Sequence, residues 1–454
     1  MTFSTRTQTR PTLAFMRLKP ASITADCVAL GIGLTCSFIV RIVGDIPVGE
    51  ILLLPLLPLL LIFHGRRVVR PGMTLIGVLM GLWLIGQILS DVLRATQQND
   101  WMRGDARIIF FAIDIVCLTV LLTGNERRKT IFIAAYAVGS LLAVRFQPAL
   151  GVESDLWKFG YSMGTIMIVV LISSFFYRYR LYLVTAILLV AIMGVNLYEN
   201  YRSPVLDLLV AAALVMPIVP ERIGRLRLLP RAGSAGRIAV LAGLALSAGF
   251  LAIALVRLAT STGIIGQEAQ EKNQQQSHLS AGILLGGRPE ILVSSRAVMD
   301  SPILGHGSYA KDMKYTEMLS DIQVENGIQT DLEDQEASQG MIPAHSHLMS
   351  TWVQAGIFGA IFWIYILWLV FKGVIRVATL RPPNAPLYAW MLVGFAWDIL
   401  FSPFGNTARM QEALMLVIIL DLQDSWQAVL KVAHQMIRNR IVTRPGTRAA
   451  FQPR

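Results

Sequence analysis

Charge is scarce in this chain. Asp, Glu, Lys and Arg make up 15% of its 454 residues, where an ordinary soluble domain carries about 25%. Hydrophobic residues make up 54%, and mean hydropathy is +0.56. That balance excludes an ordinary soluble globular enzyme and points to a polytopic membrane protein. Cysteine is also rare. Cys27, Cys36 and Cys117 all lie in apolar runs, so a disulfide framework or a cysteine metal site is not expected. Walker loop, dinucleotide fingerprint, HExxH and GxSxG are all missing, which removes the common nucleotide, zinc-protease and serine-hydrolase chemistries. No acidic pair has an obvious metal-binding spacing.

What is abundant is long apolar runs. A spanning helix needs about 20 mostly apolar residues. Such segments are expected near 22–43, 46–64, 72–93, 107–123, 130–147, 159–177, 180–199, 203–220, 237–256, 346–371, 385–402 and 408–424. The expected fold is all-α and polytopic, with about 12 spans. Arg6, Arg10, Arg17 and Lys19 precede the first run, and no small-residue cleavage site is obvious after it. The reading is a retained signal anchor.

The net charge of +11 follows from where the basic residues fall. With the N-terminus in the cytosol, about two thirds of the lysines and arginines lie in inside connections such as HGRRVVRPG, NERRK and YRYR. Both termini then come out cytosolic, and the basic balance needs no nucleic acid partner. The domains read as an N-tail (1–21), a first bundle (22–256), a large outside loop (257–344), the last three spans (345–424) and a basic C-tail (425–454). The loop begins polar (QEAQEKNQQQ). It then reads GGRPEILVSSRAVMDSPILGHGSYA, where Pro289 suits a helix start and Ser301-Pro302 its end. Gly305 and Gly307 flank His306 in a tight turn. An acidic stretch follows, from Glu317 to Glu336.

The loop returns to the membrane at HSHLMSTWVQAGIFGAIFW, which starts at His345 and spends two of the chain's six histidines. At helical spacing His345, Met349, Trp352, Gly356 and Gly359 share a face. The two histidines either cap a helix in the headgroup layer or do chemistry there. A helix N-terminus disfavours imidazolium, and neutral imidazole is the form that accepts a proton. Arg202, in NLYENYRSPVLDLL, stands at the outer start of the eighth span. It either snorkels to the headgroups, pairs with Glu199 or binds an anion. Arg288 precedes the Pro289 helix, where a guanidinium and a helix N-terminus together make an anion site, although taken singly a solvated loop arginine is the commoner explanation. Arg296, two turns on, is a weaker candidate. Asp114, Asp207 and Asp398 lie in or near spans as scattered carboxylates that suit helix packing as well as function. His306 is read as shaping its turn, and His64 and His434 fall on the cytosolic side.

These pieces together resemble the superfamily of bacterial O-antigen ligases and polysaccharide polymerases. His345-Ser346, nine residues, then Gly356-Ile357-Phe358-Gly359 is similar to the family's histidine motif. Gly287-Arg288 followed by a helix and Pro302, Gly305 and Gly307 is similar to its Gly-Arg and Pro-x-x-Gly-x-Gly pattern. Tyr201-Arg202-Ser203 resembles its Arg-Ser at an outer helix end. The likeness covers roughly residues 195–360. It implies a transfer at the periplasmic face of the bacterial inner membrane, without metal or cofactor. The donor would be a glycan on undecaprenyl diphosphate, and the acceptor a glycan or lipid A-core hydroxyl. His345 would be the base, Arg202 and Arg288 would clamp the diphosphate, and His347 and Arg296 would support them. His347 departs from the family pattern, where an apolar or aromatic residue stands, and this leaves open which histidine is the base. Other polysaccharide assembly proteins are implied as partners. The rival readings are a transporter or flippase and a non-catalytic assembly component. Repeated halves and paired broken helices, which would favour a transporter, are not found.

Overall fold

The computed structural model describes residues 23–42, 44–148, 152, 154–216, 243, 289–325, 340–406 and 408–442. Among the described residues the fold is all-α apart from one short hairpin and an isolated bridge between Lys311 and Met341. α1 (Ile23–Thr35) leads into β1 (Ile39–Arg41) and β2 (Asp45–Pro47), which pair antiparallel. Then come α2 (Val48–His64), α3 (Pro71–Leu93), α4 (Gln98–Leu122), α5 (Glu126–Phe146), α6 (Ser162–Arg178), α7 (Tyr182–Tyr198) and α8 (Arg202–Val215). In the large connection lie α9 (Glu290–Asp300) and α10 (Met313–Glu325). After it come α11 (His347–Ala355), α12 (Ile357–Leu380), α13 (Ala385–Phe401) and α14 (Ala408–Val442).

Among the described residues, six helical stretches are long and apolar enough to cross a membrane: Val48–Arg67, Pro71–Leu93, Glu126–Phe146, Trp157–Arg178, Ile357–Leu380 and Ala408–Gln435. α1, α7 and α13 are shorter apolar helices. Leu52, Leu59, Ile62 and Phe63 of α2 and Leu75, Val78 and Ile85 of α3 point outward, while Gln87, Ser90, Glu50 and Asp114 point in. Apolar residues outside and polar groups inside is the arrangement a lipid solvent selects. The chain is an all-α membrane-embedded protein.

Several expected boundaries move. The run 22–43 is not one helix: α1 stops at Thr35 and the hairpin follows, its turn around Gly44 at φ 85°. Pro55 and Pro58 do not break α2, in keeping with the tolerance of proline in membrane helices. α14 runs on into the expected tail (425–454), as far as Val442. The expected span 237–256 lies outside the described residues, Gly243 apart.

Two polar layers tie the bundle. At the end opposite the large connection, Lys129 of α5 is buried and bonds Glu126 (2.5 Å) and Asp421 of α14 (2.8 Å). Arg128 reaches Asp26 of α1 at 3.0 Å, and Arg70 reaches Asp424 at 2.8 Å. Nearer the loop end, Arg409 of α14 makes a two-pronged bond to Glu50 of α2 (2.8 and 2.6 Å), both fully buried. Between them Trp83, Phe111, Phe362, Trp363 and Phe404 pack ring against ring at 5.1–6.2 Å. α13 packs on α8, α12 and α6, and α14 on α4 and α12. That framework fixes the end of the bundle on which α9–α11 sit.

Candidate functional site

The histidine motif does not continue as one helix. α11 ends at Ala355, and Gly356 takes φ 66° and ψ −155° before α12 begins at Ile357. This corrects the single span expected over 346–371 and removes the shared face of His345 with Gly356 and Gly359. The cause is the carbonyl of Ile303, which presses on Gly356 where a Cβ would stand. Only glycine adopts that backbone conformation at little cost.

The break exposes the last carbonyls of α11, which need donors. The amides of His306 and Gly307 donate to Val353 O (2.7 Å) and Gln354 O (3.1 Å), and Ile357 N–H donates to Ile303 O (3.2 Å). Gly305 and Gly307 have φ 78° and 91°, and a Cβ on Gly305 would stand 2.7 Å from the backbone of α11. The turn expected at Gly305-His306-Gly307 is therefore the partner of the helix break. His306 turns its Nε2 to Ala297 O at 2.8 Å and shapes the turn, as expected.

Residues of α3 and α4 clamp this junction from below. Asp91 accepts from Ser308 N–H (2.6 Å) and Ser308 Oγ (2.7 Å), and Gln87 donates to Ser308 Oγ (2.8 Å). Arg94 donates to Gly305 O (3.1 Å) and Ser301 Oγ (2.8 Å). Arg107 donates to Gln354 Oε1 (2.7 Å). None of these was singled out from sequence. Asp91 and Arg94 stand at the end of an apolar run, where a charged residue is most often read as an interface anchor.

At the other end of α11, Ser346 caps the helix: its Oγ accepts from Met349 N–H (3.2 Å) and donates to Ile399 O of α13 (2.9 Å). His347 is 1% exposed. Its Nδ1–H donates to Ser402 O (2.6 Å), and its Nε2 faces Glu412 Oε1 of α14 (2.5 Å). The ring packs on Trp363 (4.9 Å between centroids) and Phe404 (5.3 Å). Both ring nitrogens are taken, so His347 docks α11 to α13 and α14 and offers none to an acceptor. Glu412 was missed, although a carboxylate in an apolar helix is a signal.

His345 lies one residue before the cap and is half-buried. Arg202 is the first residue of α8, also half-buried, and its Nε donates to Asn200 Oδ1 at 3.1 Å. α8 and α11 both pack on α13. Asp207 of α8 interacts electrostatically with Asp398 of α13, whose Ser402 end holds His347. Arg202 stands about 7.5 Å further along α8, toward the same end of the bundle as His345. Arg288 lies outside the described residues. α9, which starts just after it, rests on α11, and Trp352 Nε1 donates to Pro302 O at 2.9 Å. Arg296 is exposed and pairs with Asp300 on its own helix at 3.3 Å. Asp114 is buried on α4 beside Glu50.

Among the described residues no group of three or more His, Cys, Asp and Glu converges as a metal site would. No known family and no curated protein matches this chain.

Proposed function

We propose that this chain is a membrane glycosyltransferase of the O-antigen ligase and polymerase type. It moves a glycan from undecaprenyl diphosphate to a sugar hydroxyl at the periplasmic face of the bacterial inner membrane. The observation that carries the reading is the interlocking of two glycine motifs that resemble that superfamily. The turn at Gly305-His306-Gly307 seats itself in the break at Gly356. That contact anchors α11 and leaves His345 at its outer start.

In this reading His345 takes the proton from the acceptor hydroxyl as that oxygen attacks the anomeric carbon. The bond from the anomeric carbon to the diphosphate oxygen breaks, the diphosphate leaves with the electron pair, and the anomeric centre inverts. Arg202 and Arg288 neutralise the charge that grows on the leaving group. His347 and Ser346 position the helix that carries the base.

The test is complementation in the natural host. A deletion strain is given wild type, His345→Ala, Arg202→Ala or Arg288→Ala, with each protein quantified in the membrane. Surface glycan and extracted lipid-linked intermediates are run side by side. The expected result is lost surface glycan in all three variants with accumulated lipid-linked donor. Long unligated chains on the lipid mark a ligase, and single repeats a polymerase. Full complementation by all three variants would sink the proposal in favour of a transporter or assembly component.

A further inference from the structure

A second polar site lies at the loop end, apart from His345, Arg202 and Arg296. A small polar pocket, open to solvent, is lined by Arg103, Arg107, Arg409, Tyr309, Asn406 and Asp45, among others. The cations come from two helices, α4 and α14, and Asp45 from the hairpin.

Their charges are not equally compensated. Arg409 is neutralised by Glu50 and also donates to Asn406 Oδ1 at 2.7 Å. Asp45 pairs with Arg41 at 3.5 Å. Arg103 has Asp100 at 3.9 Å, but Asp100 lies closer to Lys311, at 3.5 Å. Arg107 differs. It is 5% exposed, its Nη2 bonds a neutral amide, and its Nε is buried with no hydrogen-bond partner. Among the described residues it makes no ion pair. A buried guanidinium without a carboxylate is costly. Around it, Gln354 Oε1 accepts a hydrogen bond, Tyr309 and Phe404 present ring faces at 5.8 and 5.7 Å, and the Asp91 carboxylate acts on it only from beyond contact distance. Tyr309 also lies over Arg103 at 4.4 Å, held there by a backbone at φ 49°, which is uncommon for a bulky residue.

We propose that this cavity binds a phosphate group, with Arg103 and Arg107 as its principal ligands and Arg409 and Asn406 as its floor. Guanidinium forks suit phosphate oxygens, and a poorly solvated site strengthens the attraction. The phosphate belongs either to a soluble ester or to a lipid headgroup at the membrane edge. The site does not depend on the transferase proposal, since none of that reaction's described residues lines it.

The test uses the full chain in nanodiscs. Inorganic phosphate is titrated against protein in phosphatidylcholine discs, with sodium chloride at matched ionic strength as control, and Tm is read. A second set carries phosphatidic acid in the discs. Wild type, Arg103→Gln, Arg107→Gln and, as a control, the exposed Arg66→Gln at the opposite end are compared. The expected result is a Tm rise for wild type and Arg66→Gln, with an apparent Kd weakened about tenfold or more in Arg103→Gln and Arg107→Gln. A rise with inorganic phosphate assigns a soluble ester. A rise with phosphatidic acid alone assigns a lipid headgroup. No rise with either, an equal rise with chloride, or an unchanged titration in Arg103→Gln overturns the proposal. Arg103 is half-exposed, so that variant keeps the test valid if Arg107→Gln fails to fold.

Discussion

His347 Nε2 and Glu412 Oε1 face each other at 2.5 Å, with both side chains about 1% exposed. A carbonyl occupies the other ring nitrogen, so Nδ1 carries a hydrogen. One further proton must then lie between Nε2 and the carboxyl group. Removing one partner leaves the other buried and unsatisfied, which costs about 3–5 kcal/mol. His347→Ala and Glu412→Ala are expected to lose about that much stability. Glu412→Gln keeps an N–H that donates to a neutral Nε2 and should lose much less. Thermal unfolding in detergent reads the order. Equal losses for Glu412→Ala and Glu412→Gln would show that the ionic charge, not the hydrogen bond, holds the pair.

Gly356 sits under the Ile303 carbonyl in a conformation closed to other residues. Gly356→Ala must move either the turn or the helix break. It is expected to cost about 1–3 kcal/mol from backbone strain alone, and more from the contact. Gly77→Ala on α3 is the control. A Cβ there meets nothing within 4 Å, so better helix propensity should leave stability unchanged or raise it by up to about 1 kcal/mol. Comparable Tm values for the two variants would refute the account of the junction.

The two glycine positions mark how far the sequence could be read. Apolar run length placed α2, α3, α5, α6, α7, α8 and α13 close to their observed bounds, because each run ends at polar or turn residues. The break at Gly356 is invisible to that signal. Its flanks stay apolar, and what splits the helix is a carbonyl from another part of the chain. The hairpin after Thr35 hides for the same reason in IVRIVGDIP. At the candidate site the turn at Gly305-His306-Gly307 was legible from local chemistry, but its docking partner was not. The pairs His347–Glu412 and Asp91–Ser308 join distant segments, and helical periodicity carries no record of them. Arg107 was passed over because a single arginine at a span edge reads as a headgroup anchor.

Asp300 gives the outer helices a sensitivity to acid. Hydrogen bonds from Lys314 and Tyr315, helped by Arg296, hold its carboxyl below the ordinary value. Partial burial and that same carboxylate push the Tyr315 phenol up to about 12. A depressed folded pKa means the interaction contributes fully above the unfolded carboxylate value of about 3.9. The contribution fades as pH falls through the lower folded value. Amide exchange in α9 and α10, corrected for intrinsic rates, should therefore rise as pH falls below about 4. Asp300→Asn should show the raised exchange already at pH 7 and little further change. Wild-type exchange at pH 7 equal to that of Asp300→Asn would remove Asp300 from the account.

Asp91 tests whether the clamp below the junction acts on function through position alone. Its two oxygens accept from the amide and the hydroxyl of Ser308, and Gln87 completes the ring of bonds. Hydrogen bonds to a charged group contribute about 1.5–3 kcal/mol each. Asp91→Ala leaves the buried Ser308 amide without an acceptor and should cost about 2–4 kcal/mol, with exchange protection lost at Ser308. Asp91→Asn can still accept from that amide, but its NH2 then meets the NH2 of Gln87, so an intermediate loss is expected. Ser308→Ala in the Asp91→Ala background should add little, giving a coupling of about 1–3 kcal/mol. If the junction positions His345, as proposed, glycan transfer should fall in Asp91→Ala at a temperature where the protein is still folded. It should recover in part in Asp91→Asn, following Ser308 protection. Loss of protection with full transfer would separate the junction from the reaction and leave the clamp a stabilising device alone.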